Sequence, residues 1–191
     1  MKQRFLLLFT ALMLCIGARA GSTTEQVING RKYIIHTDRN CATLISNNYT
    51  LSEIVIPAEI TYEGKKYPVT ELGNSCFRSC YDLKSITIPS SVTNLGECCF
   101  QDCGSLTSIT IPSSVTSIGD YCFNECRSLT SITIPSSVTS LGDWCFYNCY
   151  KLASITIPSS VTSLGKGCFY NCSGLTSITT VSYTHLRAHE T

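Results

Sequence analysis

Cysteine thiols are the reactive groups that dominate this chain, and they come in pairs at one fixed spacing. "CFRSC" starts at Cys76, "CFQDC" at Cys99, "CFNEC" at Cys122, and "CFYNC" occurs twice, from Cys145 and from Cys168. The second members of the pairs are Cys80, Cys103, Cys126, Cys149 and Cys172. Three kinds of chemistry could use them. As free thiols they would serve as small buried hydrophobes. As disulfides they could bridge within a pair, about 6 Å apart along a helical turn, or between stacked strands about 4.8 Å apart; both lie within a bridge's reach. As zinc ligands, four thiolates such as Cys145, Cys149, Cys168 and Cys172 would have to meet across two units. Zinc pairs are usually separated by two residues, whereas here three intervene and the intervening Phe would crowd an ion. Cys41 and Cys98 stand outside the columns and read as surface thiols.

Nucleophilic cysteine chemistry needs a nearby base. The histidines are His36, His185 and His189, none inside the paired segments. Glu97, Asp102, Asp120, Glu125 and Asp143 sit at turn-like positions without an opposing carboxylate, which is the pattern of solvated turn residues. Gly96, Gly119, Gly142 and Gly165 each stand alone, so no phosphate-cradling loop is present. The expectation is a protein that is not an enzyme and carries no cofactor or metal.

The element that positions the thiols is a repeat. Pro89, Pro112, Pro135 and Pro158 recur every 23 residues. Units such as "LTSITIPSSVTSIGDYCFNECRS" and "LTSITIPSSVTSLGDWCFYNCYK" differ at only a few positions. A period in the twenties means stacked coils that share one core. In "LTSITIP", Leu106, Ile109 and Ile111 point inward while Ser108 and Thr110 point outward, the alternation of a strand, and Pro112 ends it. "SSVTSIG" turns Val115 and Ile118 inward. Cys122, Phe123 and Cys126 then fall on one side of a short helical corner. Each coil supplies about seven inward apolar side chains. The fold class is a repeat solenoid of short parallel β-strands, turns and short helical corners, with about five coils.

These units resemble the BspA-type leucine-rich repeat of secreted and surface-attached bacterial proteins, whose pattern reads roughly L-x-x-I-x-I-P-x-x-V-x-x-I-G-x-x-A-F-x-x-C. This chain departs from it at Cys76, Cys99, Cys122, Cys145 and Cys168, which stand where the family usually has Ala. The organisation expected is a signal peptide over 1–20, an N-terminal capping segment over 21–54, and repeats over 55–180. A loop insertion near 60–68, around "YEGKKYP", adds nine residues to the first unit. Residues 181–191, ending "SYTHLRAHET", break the repeat and read as an artefactual tail that replaces further repeats. His185 and His189 have the spacing of a helical metal pair, but they lie in that tail.

Lys2 and Arg4, the run "FLLLFTALMLCIG" and the small residues "ARA" form the secretory signal pattern. The apolar run is shorter than the ~20 residues that cross a bilayer, so no membrane span is expected after cleavage. The residue before Cys15 is Leu, which argues against a lipid anchor. Removing residues 1–20 takes away Lys2, Arg4 and Arg19 and leaves a formal charge of −2. That balance excludes a nucleic-acid binder relying on phosphate neutralisation.

Variation between units marks the candidate binding surface. One column reads Cys98, Tyr121, Trp144, Gly167; a second reads Gln101, Asn124, Tyr147, Tyr170; a third reads Gly104, Arg127, Tyr150, Ser173. Tyr, Trp and Arg are the residue types that anchor interfaces. Tyr121, Trp144, Tyr147, Tyr150, Tyr170 and Arg127 are therefore the expected adhesive edge, set against the plainer reading that these side chains only cover neighbouring coils. The strand face is nearly uniform, with Ser85, Ser108, Ser131 and Ser154 in one rank and Thr87, Thr110, Thr133 and Thr156 in the next. Those ranks resemble the arrays of ice-binding β-solenoids, although leucine-rich repeats curve. The family resemblance implies a non-catalytic role, secreted or at the bacterial surface, in contact with an extracellular or host surface protein. The alternative is a spacer that presents another domain.

Overall fold

The structure, a computed structural model, describes residues 22–46 and 50–181. The expected signal segment, and the expected tail from Ser182 onward, lie outside the described residues. The N-terminal strands are β1 (Thr23–Ile28), β2 (Arg31–His36) and β3 (Cys41–Ser46), followed by β4 (Glu53–Val55), β5 (Glu59–Tyr62) and β6 (Lys65–Leu72). The repeats contribute β7 (Ser85–Thr87), β8 (Asn94–Leu95), β9 (Ser108–Thr110), β10 (Ser117–Ile118), β11 (Ser131–Thr133), β12 (Ser140–Leu141), β13 (Ser154–Pro158), β14 (Ser163–Leu164) and β15 (Ser177–Val181). The result is a right-through stack of about six turns with a 23-residue period and no helix among the described residues.

Each coil visits three faces. On the first, β4 pairs with β7, and β9, β11, β13 and β15 pair in parallel, with Ser108, Ser131, Ser154 and Ser177 in one rank. On the second, β6, β8, β10, β12 and β14 form a parallel ladder in register, Leu72 to Leu95 to Ile118 to Leu141 to Leu164. The third is a corner of consecutive turns. The β1–β2–β3 meander extends the second face, with β3 parallel to β6. It thereby places Tyr33, Ile35, Ala42 and Leu44 in the same core as the repeats. An Asn29–Gly30 turn with φ of 50° and 76° closes β1 on β2, the left-handed pair that a two-residue hairpin requires.

The insertion near 60–68 is not a loop. β5 and β6 pair antiparallel across Glu63 and Gly64, whose φ values are 49° and 74°. The hairpin holds because Ile60 and Tyr67 oppose one another and are both buried, with Tyr62 packed partly against the core, while Thr61 and Glu63 to Lys66 face solvent. An inward pair at both ends of a turn outweighs the polar composition that reads as a loop.

The corners hold another difference from the expected helical turns. In the second repeat corner the amides of Cys98, Phe100 and Asp102 cross to the next coil, donating to the carbonyls of Asp120, Cys122 and Asn124 at 2.8 Å. The intervening amides of Cys99, Gln101 and Cys103 bend back to Gly96, Cys98 and Phe100 of their own coil at 3.1–3.3 Å. A helix would keep every amide within its own segment. Here half of them are claimed by the neighbouring coil, and Cys98 and Asp102 take φ of 54° and 61° to alternate between the two directions. Cys122, Phe123 and Cys126 nevertheless all reach the core, because that alternation turns the same three positions inward.

Hydroxyl groups tie the second face together. Thr93, Thr116 and Thr162 each donate their Oγ1 proton to the carbonyl one period earlier, and Ser114 donates to Val92 O at 2.6 Å. The glycines just before each corner have a different reason to be glycine. Gly119 has no left-handed φ. A Cβ there would lie 2.7–2.8 Å from Glu97 N and Gly96 C of the preceding coil, closer than atoms tolerate. Gly104, by contrast, faces open space. Gly119→Ala is expected to cost about 2–3 kcal/mol through forced separation of two coils. Gly104→Ala should change stability by less than about 0.5 kcal/mol; urea midpoints of the two variants check both.

Candidate functional site

The ten paired cysteines form two continuous columns, Cys76, Cys99, Cys122, Cys145, Cys168 and Cys80, Cys103, Cys126, Cys149, Cys172, all buried. Between them run the rings of Phe77, Phe100, Phe123, Phe146 and Phe169, stacked at 5.2–5.5 Å with planes within 3–7° of parallel. The columns have different partners. In the second, Cys103, Cys126 and Cys149 place Sγ 3.2 Å from the carbonyls of Phe77, Phe100 and Phe123, and Cys172 lies 2.9 Å from Phe146 O. Each thiol thus donates to the phenylalanine of the coil before it, satisfying a carbonyl that alanine would leave with one fewer donor.

Thiol–thiol contacts occur in both columns, and in the first they are the contacts that distinguish it. Cys99 contacts Cys122, and Cys145 contacts Cys168. Burial pushes the thiols of Cys76, Cys99, Cys122, Cys126 and Cys145 upward, out of the range where a thiolate forms. Cys103 and Cys149 are raised first by the hydrogen bonds they share with Cys80 and Cys172, then by burial. The twelve described cysteines are free thiols, and among the described residues no three His, Cys, Asp or Glu side chains are arranged to hold a metal ion. Cys41 is buried on β3, contrary to its expected place at the surface; strand alternation sets it on the face opposite to the core residues Ala42 and Leu44, across from the buried His36. Cys98 is half-exposed, and burial together with the Glu97 carboxylate raises its thiol.

His36 stands opposite Cys41 in the β2–β3 register, but both of its ring nitrogens are taken by other side chains. Arg39 Nη2 donates to His36 Nδ1 at 2.8 Å, which leaves the proton on Nε2, 3.0 Å from Thr43 Oγ1. The Thr43 hydroxyl donates a hydrogen bond to Glu71 Oε2 at 3.0 Å, and Glu71 also faces Arg39 at 3.6 Å. The whole relay joins the N-terminal meander to β6, a structural use of the imidazole. The acidic turn residues are structural in part as well. Asp120 Oδ1 and Asp143 Oδ1 accept the amides of Asp143 and Lys166 one coil on, each at 2.7 Å.

At the corner edge the structure gathers three of the expected aromatic residues. Trp144 lies 5.5 Å from Tyr147 and 5.9 Å from Tyr170 in edge contacts, and Tyr147 stacks on Tyr170 at 5.8 Å. Lys166 Nζ stands 6.0 Å from the Trp144 ring. The Trp144 ring rests on Gly167, where an added Cβ would meet ring carbons at 2.5–2.9 Å; this, with a φ of 61°, explains the glycine in an otherwise bulky column. Trp144 and Tyr147 are half-buried, whereas Tyr170 is 61% exposed and Tyr150 is 37% exposed. Arg127 is exposed and pairs with Glu125 at 2.8 Å. Tyr121 is half-buried, and among the described residues no ring pair joins it to the cluster.

Sequence columns missed some members of this edge. Tyr81, 63% exposed, lies one period before Gly104, and extending the third column back by 23 residues would have found it. The polar ladder beneath the edge, with Asn148 Nδ2 donating to Glu125 Oε1 at 2.5 Å and Asn171 Nδ2 to Asn148 Oδ1 at 2.6 Å, lies in a further column at the 23-residue spacing that the comparison of units passed over. The Ser and Thr ranks of the first face are exposed and in register from β9 to β15.

The sequence pattern described as the BspA type leucine rich repeat region matches residues 68–188 in six copies. Among solved structures, a leucine-rich repeat protein from Bacteroides ovatus is 33% identical with a TM-score of 0.75, over 81% of this chain and 40% of that one. The leucine rich repeat protein of T. pallidum is 28% identical with a TM-score of 0.72, over 81% of this chain and 71% of that one. A leucine rich cell surface protein from Faecalibacterium prausnitzii is 26% identical with a TM-score of 0.55, over 85% of this chain and 56% of that one. The chain thus spans about two-fifths of the Bacteroides ovatus protein's length. No curated protein sequence matches it.

Two outcomes follow for the thiols. With an aromatic disulfide reagent at pH 8, Cys98 is expected to be the described thiol that reacts in the folded protein, more slowly than free cysteine because its thiol is raised. The ten column thiols should react only after denaturant unfolds the coils, which thiol counting with and without denaturant reads directly. Cys126→Ala removes a buried donor from Phe100 O and should lower the urea-derived stability by about 1–3 kcal/mol.

Proposed function

Because the chain belongs to the BspA-type leucine-rich repeat family, we propose that it is a non-catalytic extracellular binding module that holds proteins of a host or neighbouring cell against the corner edge of the solenoid. The single observation that carries this reading is the cluster of the exposed Tyr170 with the half-buried Trp144 and Tyr147, Lys166 beside it, on a surface where the other faces are nearly uniform. Aromatic side chains with few rotatable bonds present a large contact area at low entropic cost, and such residues dominate interface energies. Their backbone is held by inter-coil hydrogen bonds from Trp144 to Lys166 and from Asn148 to Tyr170 at 2.8 and 3.1 Å, so the edge needs little ordering on binding.

A surface or secreted location fits both the signal pattern and the cell-surface description carried by the Faecalibacterium prausnitzii relative. Repeats of this kind are generally non-catalytic, and the engagement of His36 by Arg39 and Thr43 is consistent with that. The host or neighbour protein would approach across the coils, touching residues one period apart.

Cell binding tests the reading. Labelled protein should bind epithelial or bacterial cells saturably, and protease shaving of those cells should abolish binding. Tyr150→Ala/Tyr170→Ala, at exposed positions that leave the core intact, should weaken binding at least tenfold with an unchanged melting curve. Trp144 is the chain's one tryptophan, so its emission should shift on binding. Equal binding by the double variant would refute the edge, and binding that survives shaving would refute a protein receptor.

A further inference from the structure

Two coils before the aromatic cluster, the same edge is interrupted by a notch of about 220 Å³ lined by Tyr81, Asp102, Gly104, Glu125 and Arg127. It exists because the third column lacks a side chain at Gly104, between Tyr81 and Arg127, where an added Cβ would find no atom within 4 Å. That volume equals the share of about seven liquid waters, room for one long side chain and too little for a folded element.

The charges in the notch are not balanced. Glu125 is fully engaged: Oε2 accepts from Arg127 Nε at 2.8 Å and Oε1 from Asn148 Nδ2 at 2.5 Å. Arg127 is thereby committed to Glu125. The Asp102 carboxylate, in contrast, makes no hydrogen bond or ion pair among the described residues; it feels the longer-range field of Arg127 and in turn opposes ionisation of the Cys98 and Cys126 thiols. Its backbone is fixed, with the amide on Asn124 O at 2.8 Å and φ at 61°. Opposite stands the exposed ring of Tyr81. One uncommitted carboxylate facing an aromatic ring is complementary to a cation on an apolar stem.

We propose that this notch is a subsite for one lysine or arginine side chain of a partner polypeptide, its charge on Asp102 and its stem along Tyr81. The proposal rests on the reading that the edge binds protein, and it adds the chemistry of the partner: a basic residue placed beside whatever covers the aromatic cluster. An anion is disfavoured because the two carboxylates of Asp102 and Glu125 outnumber the one guanidinium of Arg127 in the lining, and an apolar plug because it would strip water from Asp102 without replacing it. A metal ion would find one free carboxylate where several oxygens are needed.

The test uses the full chain, labelled with nitrogen-15, and two short neutral peptides that differ only in a central lysine or norleucine. The lysine peptide should shift the Asp102 and Gly104 amide signals saturably, and the norleucine peptide should bind at least tenfold more weakly. Asp102→Asn, which keeps the shape and suits a left-handed φ, should weaken lysine binding about three- to fivefold, the scale of one exposed ion pair. Gly104→Leu, which grows into open space, should abolish it; melting curves confirm that both variants fold. Equal binding of the two peptides, unchanged affinity in Asp102→Asn, or shifts that spread over the surface without saturating would each overturn the subsite. Failure here with cell binding intact sinks only the notch, whereas lost cell binding in the Tyr150→Ala/Tyr170→Ala variant with intact lysine shifts sinks only the aromatic edge.

Discussion

Hydrogen bonding between coils at one constant rise governs this molecule. Parallel ladders on two faces hold the backbone of each turn a strand spacing from the next, and the corner amides of alternate residues continue the same bonding around the third face. Everything at a given position is then forced to sit on its counterpart 23 residues away. Phe100 can only stack on Phe77 and Phe123. Gly119 can only be glycine, because the preceding coil's backbone occupies the space of its Cβ. A residue's neighbours are therefore chosen by the period before they are chosen by its own chemistry.

That constraint explains why so many cysteines are compatible with an inert core. In the second column a thiol is small enough to fit beside the phenylalanine ladder and still donates to the carbonyl of the coil before it, as Cys126 does to Phe100 O. In the first column, where the family usually carries alanine, the added sulfur fills space and meets another thiol one period away. Burial raises the thiols of Cys76, Cys99, Cys122, Cys126 and Cys145 and withholds all ten column thiols from solvent, so the abundance of cysteine is a packing property and the accessible thiol is the half-exposed Cys98.

The same rise also builds the surface. Uniform ranks of Ser and Thr cover the strand face, and variation is confined to the corner columns, where left-handed residues such as Trp144 and Asp102 point side chains outward. The third column there is bulky with one gap: tyrosine at 81, glycine at 104, arginine at 127, tyrosine at 150. A partner that reads this edge reads a profile of protrusions and one notch, all on a backbone already ordered by the stack.

The sequence by itself determined the period, the inward positions and the placement of variable residues, because each follows from a pattern repeated along the chain: Pro89 to Pro158, the alternation in "LTSITIP", the columns through Trp144 and Tyr147. Only the tertiary structure decided the rest. Whether the corner was helical depended on where the amides of Phe100 and Asp102 found acceptors, and those lay in another coil. Whether "YEGKK" was a loop depended on Ile60 meeting Tyr67. The partners of Cys126, the seat of Trp144 on Gly167, and the uncommitted carboxylate of Asp102 beside Tyr81 are likewise relations between residues of different coils. A one-dimensional pattern records that such positions coincide every 23 residues; the distance and direction between them are set only when the coils close on one another.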